Sequence, residues 1–185
     1  MSFRVALIGF GYWGPKLARN INNSSMFKID YIIDNSKKNL EKAKKDFPLS
    51  KLLNNYINLK KDDIDFVVIS SPTKTHYKIA KYFLSFSHVL VEKPLSLNSK
   101  DIIELEKIAK KNNKLLFVDY PFLFSGSINF IKKIINDKKY GKLLEIESFR
   151  EQAPIRHDAD VVWDLGVHDI SILKHWLNQN PIKIK

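Results

Sequence analysis

The sequence predicts an α/β protein built on a doubly wound parallel sheet, and two observations support this. Short apolar, β-branched runs alternate with amphipathic segments up to about residue 118, a pattern typical of parallel strands covered by helices on both faces. The first apolar run, residues 3–8, leads directly into a glycine-rich turn, Gly9-Phe10-Gly11-Tyr12-Trp13-Gly14. A strand, a turn of this kind and a helix form the opening unit of a dinucleotide-binding sheet.

The remaining elements follow in chain order from the same alternation. We expect six strands, near residues 3–8, 28–33, 51–53, 65–70, 88–91 and 115–118. Four helices are expected between them, at about 13–22, 37–46, 75–85 and 99–112. Ser36 and Ser99 precede two of these helices and are expected to cap them.

The alternation of strand and helix patterns ends after Pro121. A helical pattern closed by Gly141 is followed by a strand-like segment over residues 143–149 and a helix from about Val162 to Leu177. We therefore expect a Rossmann-type domain over residues 1–120 and a partial second domain over residues 121–185. The second would be the beginning of an α+β domain.

Composition excludes several classes of protein. The 185 residues include no cysteine and no apolar run of membrane length, which indicates a soluble globular chain without disulfides or thiolate metal sites. The chain enters its first strand without a signal-like leader, so a cytoplasmic location is expected. The net charge of +11 would suit a nucleic-acid binder. The lysines are dispersed on helix faces and arginines are few, so a solvated basic surface is the favoured interpretation.

The glycine turn predicts a phosphate-binding loop. Gly9 permits the tight turn, Gly11 lets the backbone approach a pyrophosphate, and Gly14 lets the helix pack closely on the strand. The helix N-terminus that follows favours an anion through its N–H groups and its dipole. Phe10, Tyr12 and Trp13 belong to the same loop and are expected to lie at the cofactor site. Trp13 would pack against the cofactor or a neighbouring loop, with core packing as the alternative.

Asp34 ends the second strand, 20 residues after Gly14. A carboxylate at this position accepts hydrogen bonds from the adenosine ribose and repels a 2′-phosphate, so NAD is favoured as the cofactor over NADP. Lys37 and Lys38 lie close enough in sequence to weaken that repulsion.

Three further clusters carry chemistry. They are Ser71-Pro72-Thr73 with His76, then Glu92-Lys93-Pro94, then Asp164 with His168. The first two follow predicted strands, and ligands of open α/β sheets bind outside the carboxyl ends of the strands. These two clusters are therefore expected to line one crevice.

In this order, the motifs resemble the glucose–fructose oxidoreductase / inositol dehydrogenase (Gfo/Idh/MocA) family over essentially the whole chain. The resemblance implies reversible NAD-dependent oxidation of a secondary hydroxyl on a sugar or cyclitol. The stretch from Arg156 to Asp169 resembles members that act on N-acetylated or nucleotide-linked sugars. The cofactor contacts implied beyond the glycine loop and Asp34 are Ser71, Pro72, Thr73, His76, Glu92 and Lys93.

The resemblance also suggests the catalytic roles. Lys93 would polarise the hydroxyl or relay its proton, His168 would act as general base, and Asp164 would orient the imidazole. The alternatives are a solvated Glu92–Lys93 ion pair and an ordinary surface pair of Asp164 with His168. Arg150 and Arg156 would clamp a substrate carboxylate or phosphate, or simply decorate a strand edge and a loop.

No metal site is expected. His157, Asp158, Asp160 and His168 are suitable ligand types, but they lack a recognisable zinc spacing. Members of the family are usually much longer and often homo-oligomeric, so the chain is expected to be C-terminally truncated. A non-catalytic nucleotide-binding module that docks a partner chain is the alternative function.

Overall fold

The computed structural model of the chain describes residues 2–137, 140–151 and 160–184. Two units are distinguished, Met1–Asp119 and Tyr120–Lys185. The first contains one parallel sheet of six strands. These are β1 (Phe3–Ile8), β2 (Phe27–Ile33), β3 (Lys51–Leu53), β4 (Phe66–Ile69), β5 (His88–Glu92) and β6 (Leu116–Asp119).

The strand order is β3-β2-β1-β4-β5-β6, with every neighbouring pair parallel. The strands β2 and β3 are added on one side of β1, and β4, β5 and β6 on the other. In folds with this strand order, the loops after β1 and β4 diverge at the carboxyl edge and leave a crevice there. The Rossmann-type doubly wound fold predicted from the sequence is confirmed.

Four helices belong to this unit: α1 (Gly14–Asn22), α2 (Lys37–Asp46), α3 (Thr73–Phe83) and α4 (Ser99–Lys111). Ser36 caps α2 as predicted, because its Oγ accepts a hydrogen bond from the Asn39 N–H. The cap predicted at Ser99 is wrong. Asn98 has the extended backbone that a cap requires, and its Oδ1 accepts from the Lys100 N–H at 3.0 Å.

The core lies on both faces of the sheet. Successive β1 residues alternate between two apolar clusters, with Ala6 and Ile8 in one and Val5 and Leu7 in the other. The first cluster includes Phe83 of α3, and the second includes side chains of α1 and α2. Each fully buried large apolar side chain contributes roughly 1.5–3 kcal/mol, so this packing holds the strand ends at one edge.

The second unit contains a 3₁₀ turn (Pro121–Phe124), α5 (Gly126–Asp137) and α6 (Val167–Leu177), with a π-helical turn over Val162–Gly166 before α6. The strand predicted over residues 143–149 is absent, because residues 141–151 join no strand ladder within the described parts of the chain. An extended segment needs a hydrogen-bonded neighbour to become a strand. Across the described residues, no helix is long and apolar enough to cross a membrane.

Two glycines of the loop provide a matched test of the fold. Gly9 has φ +95°, and a Cβ there would lie 2.6 Å from the Ser71 backbone nitrogen, whereas a Cβ on Gly11 would meet nothing within 4 Å. We expect Gly9→Ala to lower the free energy of unfolding by about 2–4 kcal/mol. We expect Gly11→Ala to change it by less than about 1 kcal/mol.

Urea denaturation of both variants beside the unsubstituted chain measures the difference. Equal losses in the two variants would contradict the packing role assigned to Gly9.

Candidate functional site

The glycine loop joins β1 to α1 at the carboxyl edge of the sheet. A Cβ on Gly14 would lie only 2.2 Å from the Gly9 carbonyl oxygen, so the chain's own packing requires glycine at both positions. Ser70 Oγ donates to the same Gly9 oxygen at 2.8 Å and ties the loop to the end of β4. Gly11 faces open space, so its missing side chain leaves room for a group from outside the chain.

The first turn of α1 is suited to an anion. The helix begins at Gly14 without a hydrogen bond from a capping side chain, and Pro15 occupies its first turn. No acidic residue lies in that turn. The N–H groups and the positive end of the helix dipole therefore face the loop without a negative side chain competing for them.

Asp34 lies beside this loop, immediately after β2. It is 9% exposed, and its carboxylate accepts hydrogen bonds from the Phe10 N–H at 2.6 Å and the Ser36 N–H at 2.7 Å. The Asn39 side-chain amide donates a third bond at 3.1 Å. A carboxylate has about four acceptor positions, so one remains on Oδ1 for a hydroxyl donor such as a ribose.

The loop aromatics differ in their surroundings. Phe10 is buried in the core against Phe47, so its backbone N–H rather than its ring faces the carboxylate. Tyr12 and Trp13 are 77% and 46% exposed. The Lys16 ammonium lies over both exposed rings, 3.8 and 4.1 Å from their centroids. Core packing, the alternative for Trp13, does not match this exposure.

His76 connects the two clusters that follow β4 and β5. The ring is 1% exposed, and its Nε2 lies 2.7 Å from the Ser71 carbonyl oxygen while its Nδ1 lies 2.9 Å from that of Pro94. The Lys93–Pro94 peptide bond is cis. Since both ring nitrogens contact backbone, the contacts of His76 within the chain are those of a brace between the two strand ends.

The other residues of the first of these clusters lie at the start of α3. Pro72 precedes the helix and Thr73 begins it. Ser71 Oγ lies 2.6 Å from the Thr75 hydroxyl. Through His76, this cluster is joined to the Glu92-Lys93-Pro94 cluster at the neighbouring strand end.

Glu92 and Asp119 form a carboxyl pair that the sequence reasoning missed. They are register partners at the last positions of β5 and β6. Burial, together with the nearby Asp119 charge, raises the pKa of Glu92 to about 7. Burial also raises the pKa of Asp119. An acidic residue ending β6 beside a glutamate ending β5 is the sequence signal that could have revealed the pair.

In the second unit, Asp164 and His168 are both buried at 8% exposure. Asp164 lies in the π-helical turn and His168 in the first turn of α6. The His168 ring packs nearly perpendicular to Phe122, with centroids 4.9 Å apart. Backbone irregularities of this kind often occur at functional sites. A surface location for the pair, the alternative open at the sequence level, does not match this burial.

Arg150 contacts an acidic partner within its own unit. Its Nε donates to Asp169 Oδ2 at 2.8 Å and its Nη2 to Asp169 Oδ1 at 2.9 Å. A substrate-clamping role for Arg150 would therefore depend on its remaining Nη1. Arg156, like His157 and Asp158, lies outside the described residues. Within the described ranges no group of three or more metal-ligating side chains occurs.

A family model described as an oxidoreductase family with an NAD-binding Rossmann fold matches residues 3–120, well over half of the chain. The chain belongs to this family. It is the Gfo/Idh/MocA family that the motifs resembled, so that expectation is confirmed. The family is one of oxidoreductases whose Rossmann fold binds NAD.

Two dehydrogenases, both longer than this chain, are similar to it in sequence. Myo-inositol 2-dehydrogenase of Thermotoga maritima is 26% identical over 95% of this chain and 55% of its own. UDP-N-acetylglucosamine 3-dehydrogenase of Acidithiobacillus ferrooxidans is 25% identical over 66% of this chain and 39% of its own. The chain spans about half the length of the curated relatives it matches.

A solved structure shares the fold. Scyllo-inositol dehydrogenase of Lactobacillus casei, with bound NAD(H) and scyllo-inositol, superposes with a TM-score of 0.79 at 19% identity. The match covers 95% of this chain and 56% of that one.

The raised pKa of Glu92 predicts that the free energy of unfolding depends on pH. A carboxyl that holds its proton more tightly when folded destabilises the fold as pH rises from its ordinary 4.5 through about 7. We expect Glu92→Gln to raise the free energy of unfolding by about 1–2 kcal/mol at pH 8, after discounting for solvent screening, and to leave it nearly unchanged at pH 4.

Urea denaturation at the two pH values measures this difference. Glu106→Gln is the control, since Glu106 is exposed and pairs with Lys110 on the surface of α4. An equal effect of Glu92→Gln at both pH values would contradict the assignment.

Proposed function

We propose that the chain is the NAD-binding part of an oxidoreductase that transfers a hydride between a secondary hydroxyl and the nicotinamide. The substrate would be a sugar, a nucleotide-sugar or a cyclitol. The observation that carries the proposal is the open face of Gly11 directly beside the buried Asp34, at the sheet edge that also holds Lys93. The dehydrogenases named above support the substrate classes.

The cofactor contacts follow from the geometry of the first unit. The backbone at Gly11 and the uncapped first turn of α1 would hold the pyrophosphate. The free acceptor position of Asp34 would receive a ribose hydroxyl. When bound, the nicotinamide supplies the hydride acceptor.

Lys93, His168 and Asp164 would move the hydroxyl proton. Loss of a hydride from carbon requires removal of the hydroxyl proton by a nearby base. We assign the base to His168, orientation of its imidazole to Asp164, and polarisation of the substrate oxygen to Lys93. The burial of Asp164 and His168 supports this assignment, because burial excludes water from the proton acceptor.

Arg156 would contact a substrate carboxylate or phosphate, and the protein would act in the cytoplasm, where NAD is available. Longer relatives are proposed to be homo-oligomers.

A second candidate function is a non-catalytic nucleotide-binding module that docks a partner chain. Exposed apolar side chains in the second unit favour it, since such patches mark interaction surfaces: Phe130, Leu144, Phe149, Val162 and Ile170. This candidate predicts NAD binding without turnover.

Lys93→Met distinguishes the two candidates. We expect it to lower kcat by about 10²–10⁴-fold and to raise the NAD dissociation constant by less than about tenfold, because the glycine loop and Asp34 would supply the other cofactor contacts. Calorimetry measures binding, and nicotinamide fluorescence measures turnover with inositols, hexoses and nucleotide-sugars. Lys110→Met is the control, because Lys110 pairs with Glu106 on the exposed face of α4. No binding at millimolar NAD would contradict both candidates, and binding without turnover would leave the second.

Asp34 controls the choice of dinucleotide. We expect the chain to bind NAD more tightly than NADP. Asp34→Asn should lower the ratio of the NADP to the NAD dissociation constant about tenfold, because it removes the charge that repels a 2′-phosphate. Lys38→Met should raise the same ratio, because it removes a positive charge that weakens this repulsion. The two calorimetric titrations measure it, and a preference that Asp34→Asn leaves unchanged would show that the discrimination lies elsewhere.

A further inference from the structure

Four side chains of the second unit form a continuous chain of contacts that ends at His168. The Asp169 carboxylate accepts two hydrogen bonds from the Arg150 guanidinium, at 2.8 and 2.9 Å. The guanidinium carbon lies 4.9 Å from the centre of the Phe122 ring. The Phe122 ring in turn lies 4.9 Å from the His168 ring, at an interplanar angle of 77°.

The Arg150–Asp169 pair has the geometry of a fixed contact. Two parallel N–H···O bonds hold the planar guanidinium in one orientation, which a single contact would not do. Ser148 Oγ donates a third bond to Asp169, at 2.9 Å. The hydrogen bond from Arg150 lowers the pKa of Asp169, so the pair stays ionised in the neutral pH range. Both side chains are largely shielded from solvent.

These contacts link three segments that are separate in sequence. Phe122 belongs to the 3₁₀ turn Pro121–Phe124, Arg150 to the irregular segment 141–151, and Asp169 follows His168 in the first turn of α6. Since residues 141–151 join no described strand, side-chain contacts to α6 hold Arg150 in place. The guanidinium then restrains the Phe122 ring by a cation–π contact, and the perpendicular ring pair restrains the imidazole.

We propose that Arg150 is a positioning residue, which sets the orientation of the His168 ring through Phe122 while Asp169 holds its guanidinium. The effect on catalysis rests on the proposed function, because it requires His168 to be the base. The orientation of the His168 ring does not rest on the proposed function, and it can be measured in the chain without cofactor or substrate.

The structural test uses the carbon-bound ring protons of His168 in NMR spectra, assigned with His168→Gln. We expect Phe122→Leu and Arg150→Met each to move the His168 resonance, because both alter the aromatic ring beside it. The double variant should move it no further than Phe122→Leu alone, since Arg150 acts through Phe122. Arg150→Lys keeps the charge without the planar fork and should move it as well.

The control is Lys174→Met on the same helix, because the Lys174 ammonium donates to the Asn180 side chain at 3.0 Å. It should leave the His168 resonance in place. If Arg150→Met does not fold, Arg150→Lys and Phe122→Leu still test whether these residues set the orientation of the His168 ring. An unmoved resonance in a folded Arg150 variant, or shifts that simply add in the double variant, would overturn the proposal.

The kinetic test separates positioning from substrate binding. We expect Arg150→Lys to lower kcat about tenfold with KM for the hydroxyl substrate within about twofold, because a small misplacement of the base slows the proton transfer. A raised KM with an unmoved His168 resonance would instead make Arg150 a substrate contact. If no substrate turns over, the proposed function fails while the NMR measurements still decide the position of the ring.

Discussion

The buried carboxylate of Asp34 is the contact on which the candidate cofactor site depends. It accepts backbone N–H bonds from Phe10 in the glycine loop and from Ser36 at the cap of α2. A buried negative charge is tolerated only when hydrogen bonds compensate it, and here these bonds also join the ends of β1 and β2. The same group that recognises the ribose in our proposal therefore holds the loop that receives the pyrophosphate.

A second set of contacts brings the next two strand ends together. His76 lies between the carbonyls of Ser71 and Pro94, so the turn that carries Lys93 is attached to the end of β4. The neighbouring Glu92 and Asp119 share a half-buried position in the register of β5 and β6. The carboxyl edge thus combines the His76 brace with a buried glutamate whose pKa is raised to about 7.

Most of the first unit was predictable from the sequence, because strand and helix periods, glycine spacing and the carboxylate after β2 are local signals. Contacts between segments were not predictable. Nothing in the sequence shows that Phe10 would turn its ring into the core and its N–H toward Asp34, or that Asn39 would join them. The segment 143–149 has strand-like residues but no ladder, because pairing depends on a neighbour rather than on propensity.

The sequence by itself determined the parallel sheet, the position of the glycine loop, the acidic residue beside it and the family. Those properties follow from the order and spacing of residues along one segment at a time. Only the tertiary structure decided that His76 braces two loops, that Glu92 meets Asp119, and that Arg150 reaches His168 through Phe122. Each of these is a contact between residues distant in sequence, and its geometry depends on how the packed elements place their ends.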